Sequence, residues 1–239
     1  MNRILLAFAL CLVATCVEAV PVVTGADRSV SVTDGAGTTT YGASSPSSAT
    51  GNFADTVTET VTPFVDVSST QNSTIDAASG LFSGTGKAQV GFSLQNSDGY
   101  SAKSYYSTSF DLSSDYSYSL GANLETFLDG GTGLASFSLS GPTSLFYFVL
   151  DYDPPLNIVD SGILTAGSYN LIVSASIMSQ DSNSPDGYYG GWVDYDFNLQ
   201  LTPRDVDVPE PPIPALLLTG LMLLGIGCKK LIFQGYKFA

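Results

Sequence analysis

The chain has 239 residues, 44% of them hydrophobic, a formal net charge of -14 and no histidine. That charge disfavours electrostatic binding to nucleic acid or anionic lipid, and the lack of histidine removes the usual neutral-pH base, the Ser-His and Cys-His nucleophile pairs and imidazole-bound zinc. All three cysteines, Cys11, Cys16 and Cys228, lie in terminal apolar runs, so the body has no disulfide framework and must be held by its core.

Arg3 supplies a positive start, Ile4 to Val17 form an apolar run of signal-peptide length, and Val17-Glu18-Ala19 puts small residues where a signal peptidase reads. Residues 1–19 are therefore expected to be a signal peptide, cut after Ala19. Val13-Ala14-Thr15-Cys16 resembles a lipobox that would lipidate Cys16 instead, but Thr15 fits poorly before that cysteine. Residues 20–51 are dense in Ser, Thr, Gly and Ala and read as a lead-in arm or a pair of irregular strands.

Residues 52–203 carry the periodic pattern. Val193, Tyr195, Phe197, Leu199 and Leu201 alternate with Asp194, Asp196, Asn198, Gln200 and Thr202, a period of two that puts one face in a core and the other in water. Tyr169, Leu171, Val173, Ala175 and Ile177 do the same, as do Tyr116, Tyr118 and Leu120, then Ala135, Phe137 and Leu139. No body segment sustains a helical period. Turn chemistry punctuates the runs at Asp98-Gly99, Asp129-Gly130-Gly131, Ser140-Gly141-Pro142, Asp153-Pro154-Pro155, Ala166-Gly167 and Asp186-Gly187. The expectation is an all-β protein: an antiparallel β-sandwich, jelly-roll-like, with SLFYFVLDYD (Ser144 to Asp153), apolar on both faces, as its central strand.

Within the body, Ser83-Gly84-Thr85-Gly86-Lys87 superficially resembles a phosphate loop. Leu81 and Ala88 stand where the first glycine and the metal-binding hydroxyl are needed, so a tight hairpin turn is the better account. Two Asp-Tyr-Asp triplets, Asp151 to Asp153 and Asp194 to Asp196, put carboxylates at i and i+2 on one strand face. Asp151, Asp153, Asp194 and Asp196 are thus candidate calcium ligands or a glycosidic acid pair, and solvated strand faces give the same pattern. Tyr188, Tyr189 and Trp192 cluster with Tyr195 around Gly187, Gly190 and Gly191, as sugar-stacking rings would. The alternative puts Tyr195 in the core and Trp192 at an edge with one face covered. Asn72-Ser73-Thr74 matches a glycosylation acceptor. No catalytic residue is singled out, no cofactor beyond candidate calcium is implied, and an enzyme is not expected.

The C-terminal part reads in a fixed order. Residues 204–211 form a charged, proline-bearing linker, and Pro209 and Pro211 hold its end extended. The apolar run from Pro212 to Cys228 spans roughly 25 Å as a helix, a little short of a bilayer core of about 30 Å. Leu231 to Phe233 lengthen it if Lys229 and Lys230 snorkel, giving a transmembrane helix over 212–233 and a cytoplasmic tail over 234–239. Val208-Pro209-Glu210-Pro211, the apolar helix and a basic end resemble the PEP-CTERM sorting signal of Gram-negative bacteria, a motif also labelled "ice-binding protein C-terminal domain". Its basic element here is a lysine pair. The resemblance implies export, transient membrane retention and cleavage by an exosortase near Pro-Glu-Pro. It also implies a cell-surface or extracellular destination, with exopolysaccharide as a partner, while the charge argues against nucleic acid. A permanent single-pass anchor is the alternative. The expected role is a structural or adhesive component of a biofilm matrix; a carbohydrate-binding module is the second reading and a glycoside hydrolase the third.

Overall fold

The alternation becomes strand nearly everywhere it was expected. A computed structural model describes residues 19–44, 50–62, 65–92, 99–129, 131–142, 146–152, 154–179 and 189–204, which contain strands and turns but no helix. The strands are β1 (Val22–Thr33), β2 (Thr39–Ser44), β3 (Gly51–Thr62), β4 (Val65–Asp76), β5 (Leu81–Phe92) and β6 (Ser101–Leu112). They continue with β7 (Tyr116–Asp129), β8 (Gly131–Ser140), β9 (Phe146–Leu150), β10 (Leu156–Leu164), β11 (Gly167–Ser179) and β12 (Tyr189–Pro203). They form two six-stranded sheets, in the orders β2-β1-β6-β11-β8-β9 and β10-β7-β12-β5-β4-β3. Every recorded pairing is antiparallel. The sheets pack face to face, β1 and β6 on β4 and β5, and β8 and β11 on β7 and β12, as a β-sandwich.

Every inward position named from the period of two in β7, β8, β11 and β12 is buried. Rings interlock across the layer: Phe82 stacks on Phe110 with centroids 4.8 Å apart, and Tyr106 meets Phe197 edge-on at 4.8 Å. Each fully buried Leu or Phe contributes about 1.5–3 kcal/mol, and these side chains replace the disulfides the body lacks.

Three local expectations are corrected. The sandwich begins well before residue 52: of the two readings of residues 20–51 the pair of strands holds, since β1 and β2 belong to the first sheet and Val30 and Val32 are fully buried. The sequence conceals this because Arg28, 1% exposed, occupies an inward slot of β1 where an apolar residue would have completed the pattern. Phe146–Leu150 is an edge strand, not a central one. Tyr147 and Val149 point outward, 76% and 38% exposed, so its two-sided apolarity reflects exposure and not double burial. Ser83 to Lys87 lies within β5 and makes no turn. The turn comes earlier, where Asp76 Oδ1 accepts from the Ala78 and Ser79 amides and Gly80 takes a φ of 70°. Gly84 and Gly86 face inward to admit rings from β12: a Cβ on Gly84 would lie 2.9 Å from Phe197, and one on Gly86 would collide with Tyr195.

Among the described residues no helix is long and apolar enough to cross a membrane. The signal peptide up to residue 18, the sorting motif Val208 to Pro211, the expected membrane helix and Lys229 and Lys230 lie outside the described residues. Ala19 is described, partly buried against the core ahead of β1.

Candidate functional site

β12 lies between β7 and β5 in the second sheet, so its outward side chains meet partners from both neighbours. Trp192 sits opposite Phe127 and Gln89, Asp194 opposite Glu125 and Lys87, and Asp196 opposite Asn123 and Thr85. Three rows thus cross the outer face, one aromatic and two polar.

In the aromatic row the Phe127 and Trp192 rings stack at 6.3 Å and 23°. Lys87 Nζ lies 4.9 Å from the indole centroid. Phe127 and Lys87 approach Trp192 from opposite flanks, since they come from the strands on either side of β12. The freer aromatic surface is Phe127, 56% exposed. The reason is topological: β10 pairs with β7 only as far as Leu124, so among the described residues the stretch from Glu125 to Asp129 has no strand neighbour on that side.

In the polar rows Asn123 Nδ2 donates to Glu125 Oε1 at 2.7 Å. The Asp194 carboxyl is pushed up to about 6, first by burial and then by Glu125, with Asp196 adding in the same direction and Lys87 opposing. Thr70, Lys87, Asn123, Glu125, Asp194 and Asp196 line a shallow groove of about 290 Å³. A second hollow of about 300 Å³ continues it past Asn72, Thr74, Ser83 and Asn198. The result is a polar track with an aromatic shelf at one end, suited to an extended ligand rich in hydroxyls.

The candidate residues fare unequally. Trp192, Asp194 and Asp196 come together on this face, and Tyr195 between them is core, 2% exposed, with its hydroxyl 3.2 Å from Ser104 Oγ. Trp192 stands in a central strand and not at an edge. Asp151 is not on a strand face: it lies in an exposed bend after β9, which ends at Leu150, and Asp153 lies outside the described residues. Tyr188 and the side chain of Tyr189 also lie outside them. Asp194 and Asp196, with Glu125, are the carboxylates available to a calcium ion here; among the described residues no three metal-ligating side chains converge as a metal group would. Within Asn72-Ser73-Thr74, Asn72 is exposed on β4 while Ser73 is buried in the interior.

Phe127, Glu125, Asn123 and Lys87 were not singled out as site residues. The alternation of β7 marks Asn123, Glu125 and Phe127 as outward, but nothing local says that β7 lies beside β12. No family model matches this chain, and no curated protein matches it.

Proposed function

We propose that the chain is an exported cell-surface or matrix protein that adheres to polysaccharide through the outer face of its second sheet. The adhesive reading rests on the Phe127–Trp192 pair standing beside a track of carboxylates and amides. Sugar rings offer apolar C–H faces that stack on aromatic rings, and hydroxyls that pair with carboxylate and amide groups. A strand-borne platform holds these groups at fixed spacing along a chain of sugars, which suits retention of a polymer better than chemistry on it. The export reading rests on the leader ending at Ala19 and on Val208-Pro209-Glu210-Pro211 followed by an apolar run and Lys229-Lys230.

A glycan array probed with the soluble body, residues 20–203, tests the first reading. Saturable binding to neutral or amino sugars is expected, with uronate polymers rejected by the acidic face, and Phe127→Ala and Trp192→Ala should each abolish binding. No saturable binding to any glycan would refute it. Mass spectrometry of the surface-exposed pool in the native host tests the second: mature protein should end near Pro211, and a peptide running from Glu210 into Leu216 would mean a permanent anchor.

A further inference from the structure

The interior beneath β4 holds polar atoms that no protein group pairs. Gln71 is 3% exposed, Ser73 2% and Tyr106 0%. The Gln71 Nε2 and Oε1, the Ser73 and Tyr106 hydroxyls and Asp55 Oδ2 are all buried without a protein hydrogen-bond partner.

Register brings Gln71, Ser73 and Tyr106 onto adjoining rows, while Asp55 Oδ2 lies at the margin beside Gly42 of β2. Asp55 of β3 sits opposite Gln71, and Ser73 is the next inward residue of β4. Across the sheet, Gln71 continues through Gly86 to Tyr195, and Ser73 through Gly84 to Phe197. Tyr106 descends from the facing sheet onto these same two rows: its ring packs edge-on against Phe197, and its hydroxyl feels Tyr195 and Arg28 electrostatically. Gly84 and Gly86 of β5 leave out side chains along these rows, and Ser104 stands beside Tyr195.

A dry interior would leave the polar atoms of Gln71, Ser73 and Tyr106 desolvated and unpaired, a cost that, summed, rivals the net stability of a whole domain. The polar set is mixed. Gln71 Nε2 donates, Gln71 Oε1 accepts, and the two hydroxyls do either. A lone cation or anion would satisfy one half and repel the other, whereas water donates and accepts equally. We propose that the interior between β4 and β6 is a hydrated site whose ordered water molecules bridge Gln71, Ser73 and Tyr106.

The sign of a stability change decides between wet and dry. In a dry interior, Gln71→Leu removes an unpaired amide and raises the urea midpoint. In a hydrated one it strips the waters of two partners and lowers it. Tyr106→Phe, which deletes a single oxygen and keeps the ring, makes the same distinction should Gln71→Leu fail to fold. The expected result for the full chain in detergent is a lowered midpoint for each variant that folds, together with nuclear Overhauser transfer from long-lived internal water to amides of β4 in the wild type, diminished in Tyr106→Phe. A raised or unchanged midpoint in Tyr106→Phe, absence of that transfer, or crystallographic density for an ion or an organic molecule at the site would overturn the proposal.

Discussion

The two halves of the sandwich interior are built from different materials. Under β7 and β12 the layer is filled by Leu120, Leu124, Phe137, Leu139, Leu171, Val193 and Leu199, all essentially inaccessible. Under β4, toward β1 and β6, Val30, Val67, Ile75 and Phe110 share the layer with Arg28, Ser69, Gln71, Ser73, Ser104 and Thr108, just as inaccessible. Some polar members are paired: Arg28 Nη1 donates to the Gly51 carbonyl at 2.8 Å, Ser69 Oγ to the Lys103 carbonyl at 2.7 Å, and Thr108 Oγ1 to the Gly25 carbonyl at 3.2 Å. Equal burial thus hides unequal energetics. The apolar half gains from every methylene removed from water, while the polar half exchanges water hydrogen bonds for internal ones at a small net gain. Apolar residues in both halves supply most of the stability, and the polar residues add the smaller net gain of their hydrogen bonds.

Substitutions can break or sharpen that contrast. The largest effect is expected for Phe137→Ala in the apolar half, a loss of about 3–5 kcal/mol by chemical denaturation, since a ring-sized cavity opens where neighbours cannot collapse. A loss below about 1 kcal/mol would show that half to be loosely packed. Next comes Gly86→Val at the boundary, where the new side chain meets Tyr195 and Ser104. A loss of about 1–3 kcal/mol is expected, with a change in near-ultraviolet circular dichroism as Tyr195 is displaced; an unaltered spectrum would mean that the ring does not rest on β5.

The outer face gives the contrast a sign. The Asp194 carboxyl stands at about 6 in the folded chain against an ordinary 3.8, so folding favours its protonated form. Its contribution is therefore most favourable below 3.8 and is lost as pH rises through about 6. Asp194→Asn should raise the melting temperature at pH 7, by the equivalent of roughly 1 kcal/mol once solvent screening is allowed for, and should leave it unchanged at pH 3. A gain of equal size at both pH values would mean that charge is not its origin. The smallest effect belongs to the polar pair at the boundary: Tyr195→Phe, which removes the bond to Ser104 at 3.2 Å, should cost about 0.5–1.5 kcal/mol by denaturant titration. A loss as large as that of Phe137→Ala would erase the distinction between the halves.

Each edge strand of the second sheet carries a carboxylate on its inward side, Asp55 in β3 and Asp160 in β10, the latter accepting from the Tyr118 hydroxyl at 2.6 Å. An inward charge at an edge resists pairing with another chain, which suits a sandwich that presents long unpaired margins.

The sequence by itself determined that the body is all-β and which residues face inward in β7, β8, β11 and β12, because side-chain direction in a strand has a period of two and burial selects apolar residues at that period. It also determined what chemistry is missing, since histidine and body cysteine are absent from the composition. Where an inward slot holds Arg28 the pattern falls silent, which is why residues 20–51 read as either a lead-in arm or a pair of irregular strands. Only the tertiary structure decided that Phe146–Leu150 is an edge, that Ser83 to Lys87 runs through a strand, and that Phe127 and Glu125 join Trp192 and Asp194 on one face. Those facts depend on which strands lie side by side. Strand order is set by long-range packing of the two sheets, and a periodicity local to each strand carries no record of its neighbours.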